Sequence, residues 1–248
     1  MKKIVIAVLL LLSPFTLSFV SAQATLEKAN QAYADSSYAE AAAMYEALLA
    51  KTPDATIYYN LGNAYFRQDS LAKAILNYER ALRLRPNYPD AQFNLEFAQS
   101  KIVDNIQEED FFLTTWARTV RNTMSENIWM WLSISLFSLF LVGIMLFLLG
   151  RETWLRKTAF HVGWVALLFC IIAGLNAGSL HKRNTLHDEA IITQGIITAK
   201  SSPDKSGTEL FSLHEGTKVT IREELGEWVN VRVGQNEGWI PSNCLEKI

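Results

Sequence analysis

Apolar positions follow several different rules along this 248-residue chain. Behind Lys2 and Lys3 comes an unbroken nine-residue apolar run, Ile4–Leu12. From residue 23 to about 102, small and apolar residues recur at helical spacing, as in Ala41, Tyr45 and Leu49 or Ala74, Tyr78 and Leu82. Phe112, Trp116, Val120 and Met124 then fall four apart, flanked by Leu113 and Ala117, with Arg118 and Arg121 on the other side. This is an amphipathic stripe. Two uncharged runs follow, Trp129–Leu149 with 21 residues and Ala159–Leu180 with 22. From Ala190 onward the pattern alternates, and Trp228, Asn230 and Arg232 interleave with Val229, Val231 and Val233. The elements predicted are a short apolar leader, helices, two helices of membrane length, and short strands.

The N-terminal segment has the layout of an export signal. Ser13 and Pro14 interrupt the apolar run, and Val20-Ser21-Ala22 offers small residues for a cut after Ala22. An uncleaved anchor is the alternative, and either places residue 23 onward outside the cytoplasm.

Residues 23–102 repeat themselves. An offset of 33 maps Ala41 to Ala74, Tyr45 to Tyr78, Leu49 to Leu82, Pro53 to Pro86 and Ala29 to Gly62. Gly62 and Ala74 are small where two helices cross closely, and Pro86 ends the second helix of its pair. Residues 55–88, with Tyr58, Leu61, Gly62, Tyr65, Ala74, Tyr78, Ala81 and Pro86, resemble a tetratricopeptide repeat. The first unit is less regular, with Ala29 and Ala32 in place of Gly and Tyr. Phe93-Asn94-Leu95-Glu96 begins a third unit, whose Glu96 is too large for the tight crossing and marks a solvating cap helix. The resemblance implies a concave groove lined by the first helix of each pair. The groove positions are Asn30, Tyr33, Tyr59, Asn60, Asn63, Phe66, Arg67 and Asn94, where asparagines either hydrogen-bond an extended peptide or serve the repeat itself. Residues 23–110 hold 8 basic and 13 acidic residues, a solvated acidic face.

The linker, residues 103–128, carries the amphipathic stripe, which either lies on a bilayer or packs under the repeats. The two uncharged runs define transmembrane helices at 129–149 and 159–180 around a loop at 150–158. Arg151, Arg156 and Lys157 against Glu152 place that loop in the cytoplasm, giving a hairpin with both flanks outside. On the second run Ala166, Cys170, Gly174 and Gly178 recur every four residues and allow close helix approach, by the first run or by another subunit.

Residues 186–248 predict a small barrel. Ser201-Ser202-Pro203, Glu215-Gly216, Gly234 and Gly238-Trp239-Ile240 punctuate the strands. The order resembles the bacterial SH3-like domain, which implies peptide or cell-wall binding. Trp228 and Trp239 are its aromatic candidates, with barrel core and strand pairing as their alternative role.

Composition removes several function classes. Net charge is −2, from 23 Lys+Arg and 25 Asp+Glu, which argues against a nucleic-acid binder that works through a strongly basic surface. Two cysteines, Cys170 and Cys244, exclude a disulfide-rich scaffold and an all-cysteine metal site. His161, His181, His187 and His214 are scattered, no nucleophile or phosphate-loop motif occurs, and no catalytic residue, cofactor or metal is expected.

The fold class expected is therefore a multi-domain membrane protein: an all-α tetratricopeptide solenoid, a two-helix transmembrane hairpin and an all-β SH3-like barrel. This order resembles the BatE-type proteins of bacterial aerotolerance operons. The resemblance implies an inner-membrane protein with both folded domains in the periplasm, assembling a stress-related envelope complex with von Willebrand factor A membrane proteins and a MoxR-type ATPase. The function expected is a non-enzymatic scaffold; the alternative is a peptidoglycan-binding sensor acting through the SH3-like domain.

Overall fold

The computed structural model describes residues 25–104, 112–186 and 188–248. The expected export signal lies outside the described residues. The chain divides into two compact units. One holds the repeat helices together with the C-terminal strands, and the other holds the helices of residues 112–186.

The first unit begins with helix α1 over residues 25–34, followed by α2 (Tyr38–Leu49), α3 (Ala55–Arg67), α4 (Leu71–Leu84) and α5 (Pro89–Gln99). Several boundaries have a local cause. Asp54 caps α3, its carboxylate accepting the backbone N–H groups of Thr56 at 2.8 Å and Ile57 at 3.0 Å. Pro89 opens α5 in its first turn, where a backbone N–H would have no helical partner and its absence costs nothing. The turns α1–α2 and α3–α4 repeat one geometry. Ser36 (φ 62°) and Asp69 (φ 59°), 33 residues apart, are left-handed. Ser37 N–H donates to the Ala32 carbonyl at 2.9 Å, and Ser70 N–H to the Tyr65 carbonyl at 3.0 Å. Gly62 is required by its neighbour, since a Cβ there would sit 2.6 Å from the buried Tyr78 ring.

The C-terminal strands are β1 (Glu189–Ile192), β2 (Ile196–Lys200), β3 (Glu209–His214), β4 (Lys218–Leu225), β5 (Trp228–Val233), β6 (Asn236–Pro241) and β7 (Leu245–Lys247). They form one antiparallel sheet in the order β3-β2-β6-β5-β4-β1-β7. Its core includes Ala190, Ile192, Val219, Val229, Val231 and Ile240.

The repeats and the sheet share a core. Ile191 and Ile248 are buried with Ile75 of α4 in the cluster that holds Tyr45 and Tyr78. The alternation in β1 explains this: Ala190 and Ile192 face the barrel, so Ile191 faces the repeats. Around that seam Lys218 pairs with Glu79 and Glu189, each at 3.1 Å. Burial would lower the Lys218 pKa, but the two carboxylates outweigh it and hold the ammonium above its ordinary value. Arg80 pairs with Glu246 at 2.9 Å and donates to the Lys247 carbonyl at 2.7 Å. Asp104 receives the His214 backbone N–H at 2.7 Å and the Thr217 hydroxyl at 2.9 Å on one oxygen, with His214 Nδ1 at 2.7 Å from the other. Gly216, at φ 86°, lets the β3–β4 turn approach; a Cβ would sit 2.7 Å from Ile102.

The second unit contains α6 (Phe112–Asn122), α7 (Glu126–Leu149) and α8 (Thr153–Leu186). Helices α7 and α8 are long and apolar enough to cross a membrane. Both exceed the uncharged runs. Only Gly150, Arg151 and Glu152 remain between them, because Arg156 and Lys157 are good helix formers and charge does not stop a helix.

The helix seam differs from the expected stripe. Ala159, Gly163, Ala166, Ala173 and Leu180 are buried on α8, with Cys170 and Ala177 part-buried between them. Their spacing mixes steps of four and three. A uniform step of four drifts by about 40° per step on an α-helix, so it leaves the seam within three steps. Ala166 and Cys170 therefore lie on the seam, and Gly174 stands at its edge beside Ser133. Gly178 faces open space, where an added Cβ would meet nothing within 4 Å. Gly143 of α7 approaches α8 closely, and a Cβ there would be 3.1 Å from the Ala159 carbonyl oxygen and 3.2 Å from the Gly163 Cα.

Candidate binding surfaces

The first helices of the repeats line an open groove of about 340 Å³. Tyr33 comes from α1, Tyr59, Asn63, Phe66 and Arg67 from α3, and Asn94 from α5. Tyr78 of α4 forms part of the wall, and Phe93 and Phe97 of α5 complete it. These last three are absent from the groove positions that the sequence points to. The two phenylalanines lie 34 residues after Tyr59 and Asn63, one more than the offset between the first two units, so the repeat carried onto α5 with one added residue finds them. Phe93 is 69% exposed and Phe97 47%. The Phe97 ring packs 5.7 Å from that of Phe66.

The asparagines form a ladder within the repeats. Asn30 Oδ1 accepts the Tyr45 hydroxyl at 2.8 Å and the Asn60 amide at 3.3 Å. One repeat later, Asn63 Oδ1 accepts the Tyr78 hydroxyl at 2.8 Å and the Asn94 amide at 2.8 Å. Each oxygen thus binds the tyrosine of its own repeat and an asparagine of the next, which uses both lone pairs. Asn30 and Asn60 do not line the groove. The surface left for a ligand is mainly aromatic, with the Arg67 guanidinium beside the Tyr38 ring at 5.8 Å. It suits apolar side chains next to a carboxylate better than a bare peptide backbone.

The sheet offers a second surface. Val229 pairs with Ile240 and Val231 with Gly238 on the core side, so Trp228, Asn230 and Trp239 share the opposite face of β5–β6. Both tryptophans are half-buried and neither joins the barrel core. Asn230 sits between them, buried, with its Oδ1 lacking a hydrogen-bond partner among the described residues.

Cys244 is buried, with Sγ 3.3 Å from both Gln194 Oε1 and Asn243 Oδ1. Burial raises its thiol pKa, which keeps it protonated and unreactive near neutral pH. Among the described residues, no three His, Cys, Asp or Glu side chains converge to hold a metal ion.

Comparison with protein-family models finds a tetratricopeptide repeat over residues 26–89 and a bacterial SH3 domain over residues 199–246. The chain carries both modules, which are interaction modules rather than catalytic ones. No curated protein matches the chain.

Proposed function

We propose that this protein is a non-enzymatic, membrane-anchored scaffold that assembles an envelope protein complex, with the repeat groove as its docking site. The observation that carries the reading is the aromatic groove of Tyr33, Tyr59, Phe66, Phe93 and Phe97 beside Arg67. Phe93 and Phe97 are exposed beside the part-buried Tyr33, Tyr59 and Phe66, and aromatics exposed on a concave surface are costly in water and are typical anchors for a partner. Helices α7 and α8 are the anchor. In their most apolar stretches only 6% and 28% is buried, whereas the core helix of a soluble protein is mostly covered. The shared core of repeats and sheet supports a two-span hairpin, because both modules must then lie on one side of the bilayer. The basic turn with Arg151, Arg156 and Lys157 favours the cytoplasm for the hairpin tip and the periplasm for the modules. In this reading the partners are envelope proteins, with von Willebrand factor A membrane proteins and a MoxR-type ATPase as the candidates the domain order suggests, and the process is aerotolerance or envelope stress.

The test is a photocrosslinker at residue 97 of the full-length chain in its native membrane. A discrete crosslinked envelope protein, lost in Arg67→Glu, is expected. No crosslink from residue 97, in membranes where the protein is folded, defeats the groove as the docking site.

The Trp228–Asn230–Trp239 face favours a second reading, a peptidoglycan-binding sensor. Two tryptophan faces flanking an unpaired amide suit a glycan or its peptide stem. Sedimentation of the detergent-solubilised chain with isolated wall, retained in wild type and lost in Trp239→Ala, is the outcome that reading requires.

A further inference from the structure

Helix α6 bears an apolar face that the rest of its unit covers only in part. At 100° per residue, Phe112, Leu113, Trp116, Ala117 and Val120, with Met124 just beyond the helix, fall within one arc of about 140°. Thr114, Thr115, Arg118, Thr119, Arg121 and Asn122 fill the remainder.

The two ends of that face meet different surroundings. At the C-terminal end, Val120 and Met124 pack on Trp129 of α7 and Leu180 of α8. The Trp129 indole N–H donates to the Arg121 carbonyl at 3.0 Å, and the Arg121 guanidinium donates to the Ser179 hydroxyl at 2.9 Å. These contacts fix α6 at the level where the apolar run of α7 begins and that of α8 ends. At the N-terminal end, Phe112, Leu113 and Trp116 are 74%, 57% and 59% exposed. An isolated helix shorter than about 12 residues does not hold itself in water, and α6 has 11. Its apolar stripe is continuous, through Val120 and Met124, with the bare apolar surface of the hairpin. It carries no acidic residue and two arginines.

We propose that α6 lies in the interfacial zone of the bilayer crossed by α7 and α8, on the side where α7 starts, with Phe112, Leu113 and Trp116 set among the upper acyl chains. The proposal rests on the hairpin spanning the membrane. An amphipathic helix in that position buries its apolar face to a depth of about 5–10 Å, and tryptophan favours that depth. Helix α6 then acts as a float that fixes how far the hairpin sinks and where the chain leaves the membrane.

The experiment uses the full-length chain in vesicles of phosphatidylcholine and phosphatidylglycerol, with Cys170→Ser and Cys244→Ser removing the native thiols. Single cysteines from Trp116→Cys, Leu113→Cys, Thr115→Cys and Leu139→Cys each carry an environment-sensitive fluorophore. Lipids bearing a nitroxide near the headgroup or deep in the chain quench them. Labels at 116 and 113 are expected to lose about half their emission to the shallow nitroxide and less to the deep one. The label at 115 is expected to stay water-like, and that at 139 to be quenched by the deep nitroxide. If 139 is quenched deeply but neither 116 nor 113 is quenched, the proposal is overturned while the hairpin stands. A blue-shifted yet unquenched 116 then means that protein, a second copy or another chain, covers α6. If 139 escapes the deep nitroxide, the hairpin does not span and both readings fall. Agreement of 113 with 116 guards against a local effect of losing Trp116.

Discussion

Single residues carry much of the specificity of this fold. Asp104 collects three hydrogen bonds from the β3–β4 turn. Burial alone would raise its pKa, but the His214 N–H, the His214 ring and the Thr217 hydroxyl outweigh burial and hold the carboxyl below its ordinary value. A depressed folded pKa gives stability that is present above the unfolded pKa, about 3.9, and is lost as pH falls through the folded value. The thermal stability of the wild-type chain should therefore weaken as pH drops below about 4, and Asp104→Asn should flatten that part of the profile. Asn63 is a second such residue. Asn63→Ala leaves the Tyr78 hydroxyl buried without its acceptor and should cost about 1–3 kcal/mol by chemical denaturation. The sequence offered a role within the repeat as one of two readings of the asparagines, but it named no partner for them or for Asp104. The asparagines stand out there as repeat positions, but their partners, Tyr45 and Tyr78, lie 15 residues away on another helix.

At the scale of elements, small residues decide how closely helices approach. Gly62→Ala drives a methyl into the Tyr78 ring, which the Asn63 bond and full burial hold in place. Overpacking of that kind costs about 1–3 kcal/mol, readable as a lower melting temperature of the repeat helices. In the hairpin, Gly143→Leu should separate α7 from α8 and weaken the pair in detergent, whereas Gly178→Leu should leave it unchanged. Disulfide trapping between cysteines placed across the seam separates these outcomes. A stripe read in uniform steps of four points at Gly178 because it counts residues without following the helical drift. The existence of the helices is plain from periodicity and lack of charge. Their true ends are not, since Arg156, Lys157 and Lys182 lie inside α8.

The whole molecule departs most from a reading taken segment by segment. The repeats and the SH3-like sheet stand at opposite ends of the sequence, with the hairpin between them. In the structure they share a core through Ile75, Ile191 and Ile248, clamped by Lys218, Arg80 and Asp104. Ile191→Ala removes buried methyls from that core and should cost about 2–5 kcal/mol. The helical signal of the repeats and the tryptophan emission of the sheet should then shift together; a shift in only one shows independent modules. The sequence by itself determined the kinds of element, the repeat offset of 33, the length and charge silence of two helices, and the turn residues of the sheet. Those depend on local period and backbone preference, which neighbours along the chain already encode. Only the tertiary structure decided that Ile191 serves a different core from Ala190 and Ile192, and that Trp228 and Trp239 face away from the barrel core. Such outcomes depend on which surface meets which across long stretches of chain, and burial rewards them only after the elements have formed.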